Sequence, residues 1–452
     1  MKELLGPLDV GRELSCSPHI EHAAVELRIT GDFNADYAAL ADRVATAEAV
    51  IADMPAPSER SVALHDEVRA QISAQNAARS QFLMEHRKDV YRRLTDRLQA
   101  QHRISELCSR AADNFPALVP RPDLLAAEQV LPLDQREGRE STLALLISAF
   151  LRDPQCGKHL LASMRRPNPE AWDLLREFSA RGVIDLGSVT IERYGYGAVI
   201  TLQNNGCLNA EDLDLLNRLE LAVDVVLLSR DTRVGVIRGG VMTHRKYAGR
   251  RVFCAGINLK KLSGGQIPIV DYMISREMGL IEKFRRGLSL AEDVPDVRGR
   301  FGKPWIGAVE GFAIGGGFQM ILNFDKVIAS EEVYFSLPAA HEGIVPGTAN
   351  FRLARHVGHK FARQMILFGE KIYAASETGK LICDDVVDAD AMDGSVEAAI
   401  EQLSGAAAAA NRHMLNIADE PEDELLSYLA EFCLVQAERV LSEDVIAKVK
   451  AW

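Results

Sequence analysis

A run of glycines between a strand-like and a helix-like pattern constrains the fold of this chain most strongly. The run spans Gly311 to Gln319 (GFAIGGGFQ) and follows the apolar segment Trp305 to Glu310 (WIGAVE). Backbone N–H groups in the first turn of a helix lack intrahelical partners, and glycine lets a ligand approach them closely. The run therefore predicts a strand-to-helix turn that binds a polar ligand atom. Tight packing of the strand against the helix is the alternative explanation.

The length of the chain and a change of pattern near Gly187 predict two domains. The chain has 452 residues, which exceeds an ordinary single domain. Residues 1–185 are expected to form an all-helical domain, because 61–114 carries apolar residues at helical spacing without Gly or Pro. Residues 32–54 and 140–151 are further helix candidates.

Strand and helix patterns alternate in the second predicted domain, residues 186–452. Segments 188–194 and 197–202 alternate like paired strands, and Val234 begins another strand pattern. Helical patterns follow at 210–228 and 269–286, and the chain from Ser395 onward reads as helix. This alternation predicts an α/β fold with mainly parallel pairing.

Charge and cysteine content narrow the functional class. A net charge of −12 argues against nucleic-acid binding, although the basic clusters 245–251 and 285–286 can bind an anionic small molecule or form a solvated rim. Seven scattered cysteines indicate reduced thiols rather than disulfides or a metal site. No segment approaches the roughly 20 apolar residues of a membrane span, and no apolar signal segment is seen, so a cytoplasmic protein without a membrane partner is expected.

Three linked motifs resemble those of the crotonase (enoyl-CoA hydratase/isomerase) superfamily over residues 186–452. They are 251–259 (RVFCAGINL), 303–317 (KPWIGAVEGFAIGGG) and 335–347 (FSLPAAHEGIVPG). The resemblance implies a ββα spiral core, a homo-oligomer (trimer or hexamer) and a coenzyme A thioester as ligand. It also implies an oxyanion hole made by the N–H groups of Ile257 and Gly316. Ala255 and Gly256 would then lie beside the adenine of coenzyme A.

The acids of the hydratases are missing from these motifs. The resemblance places their two glutamates at Gln319 and Ala339, and the acid of dienoyl-CoA isomerases at Gly347. A catalytic carboxylate typically contributes about 10²–10⁴-fold, so water addition is disfavoured as the main activity. His341 and Glu342 are nearby acid–base candidates, or a loop pair with a structural role.

A helical N-terminal extension joined to a core without these acids resembles one branch of the superfamily. This branch contains cofactor-independent dioxygenases that act on (3,5-dihydroxyphenyl)acetyl-CoA in glycopeptide-antibiotic biosynthesis. The resemblance implies an arylacetyl-CoA substrate, O₂ as co-substrate, and neither metal nor organic cofactor. Gln319, Arg276 and Glu211 are the expected contacts of the ring or of an intermediate, while a surface or helix-cap role is the alternative for the last two.

The same resemblance implies an apolar pocket for O₂. Its expected lining residues are Ile257, Leu337, Ile344 and Val345, and the alternative is that these are ordinary core residues.

Two other functions stay open at the level of the sequence. One is another acyl-CoA enzyme of the superfamily, a thioester hydrolase or decarboxylase that uses His341 or Glu342. The other is a non-catalytic scaffold that binds coenzyme A.

Overall fold

The structure is a computed structural model that describes residues 27–290 and 302–450. Residues 1–26 and 451–452 of the two predicted domains lie outside the described residues. They include Cys16 and the N-terminal segment in which no apolar signal segment is seen. The described cysteines are all free thiols. No helix within the described ranges is both long enough and apolar enough to cross a bilayer.

The described residues before the sheet form mainly helices, as predicted. Helix α1 begins after Asp32, whose side chain accepts the N–H of Ala35, and α2 begins after Ser61, which accepts that of Leu64. The segment 61–114 forms two helices. The helices are α1 (Phe33–Ala52), α2 (Val62–Leu94), α3 (Ile104–Asn114), α4 (Pro122–Gln129), α5 (Glu140–Leu151), α6 (Pro154–Met164) and α7 (Glu170–Arg181).

A seven-stranded sheet follows, in the order β1-β2-β3-β4-β5-β7-β10. Strands β1 to β3 pair antiparallel and the other neighbours pair parallel, which confirms the predicted α/β pattern. A second sheet of order β6-β8-β9 brings the second and third motifs together. The strands are β1 (Val183–Asp185), β2 (Val189–Tyr194), β3 (Gly197–Leu202), β4 (Val234–Gly239), β5 (Trp305–Val309), β6 (Phe312–Ile314), β7 (Lys326–Ser330), β8 (Tyr334–Ser336), β9 (Ile372–Tyr373) and β10 (Asp385–Val387). The sheet thus begins at Val183, and the division of the chain at 185/186 stays a prediction.

Helices cover the sheet and form the C-terminal portion of the chain. They are α8 (Leu213–Leu228), α9 (Leu259–Ser263), α10 (Glu282–Arg286), α11 (Gly316–Ile321), α12 (Ala339–Glu342), α13 (Ala349–Val357), α14 (His359–Phe368), α15 (Met392–Leu403), α16 (Ala406–Asp419), α17 (Glu422–Val440) and α18 (Glu443–Val449). Helix α17 packs against α5, and the Ser148 hydroxyl donates to the Ala430 carbonyl at 2.7 Å. The N-terminal helices therefore share one apolar core with the C-terminal portion.

The segment 269–286 is not the continuous α-helix that the sequence predicts. It forms two π-helical segments, Ile269–Ile274 and Glu277–Ile281, before α10. A π-helical turn inserts extra backbone and changes which side chains share a face, and such turns are frequent at functional sites. Apolar spacing alone does not separate this geometry from an α-helix.

The N-terminal helices hold the start of this π-helical segment. Glu140, the first residue of α5, accepts the N–H of Val270 at 2.9 Å, and the Ser105 hydroxyl donates to Asp271 at 2.7 Å. Burial raises the pKa of Glu140 to about 7, while the backbone N–H groups of Val270 and Ile269 oppose that rise. The segment is thus tied to α5 by a carboxyl group that titrates near neutral pH.

Replacement Glu140→Gln should reduce the loss of stability between pH 5 and pH 8. Because the folded pKa lies above the ordinary 4.5, the native state holds this proton more tightly, so stability falls as pH rises through about 7. Glutamine keeps the acceptor for Val270 and removes the titration. Thermal unfolding at both pH values measures the effect, with the exposed Glu85→Gln as matched control. An equal pH-dependent decrease in wild type and Glu140→Gln would contradict the assignment.

Candidate active site

The first and second motifs lie directly against each other. Cys254 forms a parallel β-bridge with Ala313, and the Ile314 N–H donates to the Cys254 carbonyl at 3.0 Å. Gly256 has φ +84°, and a Cβ there would lie 3.0 Å from the Ile314 carbonyl oxygen. Glycine is needed at 256 because the two backbones approach this closely.

Glu211 flanks the other side of the first motif. Its N–H donates to the Gly256 carbonyl at 2.7 Å, and the Asn258 N–H donates to the Glu211 carbonyl at 2.8 Å. This pairing leaves the Ile257 N–H without an acceptor among the described residues. The N–H of Gly316, at the first position of α11, likewise has no acceptor in this part of the chain. Two unpaired donors on adjacent segments suit a carbonyl oxygen that gains negative charge.

One cavity collects all seven predicted site residues. Its wall combines the two motifs, the π-helical segments, the loop after α12, and α17. The predicted members are Glu211, Ala255, Gly256, Ile257, Arg276, Gly316 and Gln319. Their catalytic and binding roles stay predictions.

Arg276 joins the components of this wall. Its guanidinium donates to both oxygens of Glu211 (Nε to Oε2 at 2.6 Å, Nη2 to Oε1 at 3.1 Å). It also donates to the Gly316 carbonyl at 2.8 Å and to Gln319 Oε1 at 3.0 Å. Burial alone would lower the Arg276 pKa, but the carboxylates of Glu211 and Glu277 outweigh it and raise the pKa above its ordinary value. Arg276 is buried with its charge compensated, so the predicted surface alternative is wrong.

Two side chains of the cavity wall were not predicted from the sequence. The Tyr272 hydroxyl donates to Glu211 Oε2 at 3.1 Å, and burial raises its pKa well above the usual range. Glu277 Oε1 accepts from Arg276 at 2.6 Å, and Oε2 accepts from the N–H and hydroxyl of Thr348 at 2.7 Å each. Tyr272 lies four residues before Arg276, which could have placed both side chains on the cavity face of one helix. The same spacing also occurs on any ordinary helix face.

Glycine at 347 makes room for Glu277. A Cβ on Gly347 would lie 2.4 Å from Glu277 Cδ, and the φ of Gly347 is +46°. The position at which related isomerases carry an acid is therefore filled by a carboxylate from another element. That carboxylate is already bound to Arg276 and Thr348.

Some of the other predicted residues line the cavity and some do not. Ala339 and Glu342 line the cavity, whereas His341 is exposed and lies outside the lining. Of the apolar residues predicted to surround O₂, three line the cavity: Ile257, Ile344 and Val345. Leu337 is fully buried in the main core and does not belong to the lining.

The basic clusters differ in their surroundings. Arg285 pairs with Asp419, and Arg286 pairs with Glu282 and Glu420, so this cluster takes part in a structural ion-pair network. In the other cluster Arg245 and Arg250 are exposed.

No group of three potential metal ligands is found within 27–290 and 302–450.

Replacement Arg276→Met should destabilise the protein by about 3–5 kcal/mol, because it leaves the buried carboxylates of Glu211 and Glu277 without their counter-ion. The exposed Arg363→Met is the matched control and should change stability by less than about 0.5 kcal/mol. Urea unfolding at one fixed protein concentration measures both, and adding Glu211→Gln should recover part of the loss. Equal costs for the two arginine variants would contradict the role of Arg276.

Several known proteins are similar to this chain. The chain is 44% identical over 414 residues to (3,5-dihydroxyphenyl)acetyl-CoA 1,2-dioxygenase from Amycolatopsis orientalis, which covers 92% of this chain and 95% of that protein. It is 30% identical to carnitinyl-CoA dehydratase from Escherichia coli O157:H7, over 57% of this chain and 92% of that protein. An enoyl-CoA hydratase structure from Mycobacterium avium subsp. paratuberculosis K-10 aligns with a TM-score of 0.49 and 21% identity, covering 59% of this chain and 99% of that chain.

The enoyl-CoA hydratase/isomerase family model matches residues 195–431, which is more than half of the chain. The match includes the three motifs and all seven predicted site residues. The chain therefore belongs to the enoyl-CoA hydratase/isomerase (crotonase) family.

Proposed function

We propose that this protein is a dioxygenase that works without metal or organic cofactor. It converts (3,5-dihydroxyphenyl)acetyl-CoA and O₂ to (3,5-dihydroxyphenyl)glyoxylate and free coenzyme A. The observation that carries the proposal is the 44% identity to the Amycolatopsis orientalis dioxygenase over 92% of this chain. That similarity extends over most of the N-terminal helices, which precede the family model at residue 195.

The Ile257 and Gly316 N–H groups would bind the thioester oxygen as the enolate forms. One such donor contributes about 2.7–4 kcal/mol to the transition state in comparable sites. Ala255 and Gly256 precede Ile257 on the same cavity wall and would contact the coenzyme A portion. The first motif thus serves both recognition of the thioester and stabilisation of its charge.

Glu211 and Gln319 would accept the two ring hydroxyls. Arg276 would hold these acceptors in place, because its five N–H groups already donate to Glu211, Glu277, Gln319 and the Gly316 carbonyl. A buried hydroxyl without a partner costs about 1–3 kcal/mol, so polar groups are required where the ring binds. Arg276 fixes the orientation of both the Glu211 carboxylate and the Gln319 amide. A prearranged acceptor set of this kind favours hydroxylated rings over apolar acyl groups.

Oxygen would then react with the substrate itself. The electron-rich ring delocalises the carbanion, which transfers an electron to O₂ and recombines as a peroxide at the α-carbon. The peroxide attacks the thioester carbonyl and expels coenzyme A. Cleavage of the O–O bond with loss of the remaining α-proton then gives the α-keto acid. Both oxygen atoms of O₂ remain in that product. Ile257, Ile344 and Val345 supply the apolar wall where O₂ would lie.

A thioester hydrolase is the second candidate function. The observation in its favour is Glu342, a carboxyl group that lines the cavity and could activate water. The proposal also includes a homo-oligomer of trimeric or hexameric type, by analogy with the family, and a cytoplasmic location.

Metal-free protein should take up one O₂ for each coenzyme A released. An oxygen electrode with EDTA and (3,5-dihydroxyphenyl)acetyl-CoA, run in parallel with a free-thiol assay, measures the ratio. Thiol release without O₂ uptake would assign the hydrolase function. Silence in both assays would contradict both candidates for this acyl group.

Gly316→Ala provides the catalytic control for this assay. A Cβ at 316 would lie 2.5 Å from Glu211 Oε1, so the N–H of this residue should move and kcat should fall about 10²–10³-fold. Gly394→Ala is the matched neutral variant, because Gly394 is exposed on α15 and a Cβ there meets nothing within 4 Å. Equal rates for the two variants would contradict the position of the oxyanion hole.

A further inference from the structure

A short helix brings a carboxyl group into the cavity beside a lost acid position. Helix α12 begins at Ala339, which occupies a glutamate position of the hydratases, and ends at Glu342. Residues three apart on a helix share one face, with about 5–6 Å between Cβ atoms. Both side chains line the cavity, whereas His341 between them is exposed. The chain thus keeps a carboxyl group one turn beyond the position where related enzymes have theirs.

Glu342 differs from the other carboxyl groups of the cavity in its hydrogen-bond and ion-pair partners. Glu211 and Glu277 are both bound to Arg276, which holds them in place. The carboxyl group of Glu342 has neither a hydrogen bond nor an ion pair in the part of the chain that the structure describes. Its charged neighbours Arg439 and Asp444, beside Gly343, pair with each other.

The environment of Glu342 suits proton transfer. Burial raises the pKa of its carboxyl group, and the charge of His341 opposes this rise only in part. A carboxylate whose pKa is raised toward the operating pH is a stronger base than an ordinary glutamate. Gln319, the other acid position, bears an amide and cannot take up a proton at this pH.

We propose that Glu342 removes the α-proton of the bound arylacetyl thioester. The inference rests on the proposed function, because it requires a substrate with an acidic α-carbon. The α C–H bond breaks, its proton goes to the Glu342 carboxylate, and its electron pair forms the enolate. The negative charge moves to the thioester oxygen, which the N–H groups of Ile257 and Gly316 bind. When the peroxide expels coenzyme A, the protonated Glu342 returns the proton to the thiolate.

Exchange of the α-hydrogens for deuterium isolates this step from the reaction with O₂. The full-length protein is incubated under argon in D₂O with (3,5-dihydroxyphenyl)acetyl-CoA, and exchange is followed by NMR. Glu342→Gln should slow both the exchange and the aerobic O₂ uptake by about 10²–10⁴-fold. Binding of (3,5-dihydroxybenzoyl)-CoA, which has no α-hydrogen, should remain unchanged in Glu342→Gln, which shows that the site is still folded.

Glu331→Gln is the matched control, because Glu331 is exposed, lies outside the cavity lining and undergoes the same loss of charge. It should exchange at the wild-type rate. Exchange by Glu342→Gln within twofold of wild type would overturn the assignment, as would a wild type that does not exchange. Exchange that depends on Glu342 in a protein that takes up no O₂ would support the base and reject the dioxygenase function. The two proposals can therefore fail separately.

Discussion

The buried guanidinium of Arg276 is the interaction on which the candidate site depends. It contacts Glu211, which pairs with the first motif, and it donates to the carbonyl of Gly316 in the second motif. Arg276 thus adds a side-chain connection between the two segments that carry the unpaired N–H groups, beside the direct backbone pairing of Cys254 with Ala313. Charge-assisted hydrogen bonds of this geometry are stronger and more directional than neutral ones, and burial makes their loss costly.

The same interaction gives a physical reason for the amide at 319. Arg276 already compensates two buried carboxylates, Glu211 and Glu277. A glutamate at 319 would add a third negative charge around one buried guanidinium. Gln319 accepts from Arg276 without adding charge. The chain has therefore exchanged a hydratase acid for a fixed polar group, which suits recognition of hydroxyls better than addition of water.

Local patterns predicted most of the helices and strands, and the resemblance to the crotonase superfamily implied the seven predicted site residues. Their connections depended on the tertiary structure. The glycine run and the motif around Gly256 are local signals, because close backbone approach permits little else at those positions. The contacts of Tyr272 and Glu277 with distant partners could not be predicted. The apolar residues of 269–281 are spaced as in an α-helix, although the segment contains two π-helical turns. The exposure of His341 beside Glu342 likewise depends on how α12 packs, not on its sequence.

Within the described ranges, the N-terminal helices bear on the site through the π-helical segment, which Glu140 holds at Val270. They also bear on it through α17, which packs against α5 and lines the cavity. Arg276 lies between the two π-helical turns of this segment. In the proposed function an enolate would react with O₂ beside the apolar part of the cavity wall. Labelling with ¹⁸O₂ tests that central claim most directly. The account predicts two ¹⁸O atoms in the arylglyoxylate, one in the keto group and one in the carboxylate. Incorporation of one atom or none, with the remaining oxygen supplied by water, would contradict it.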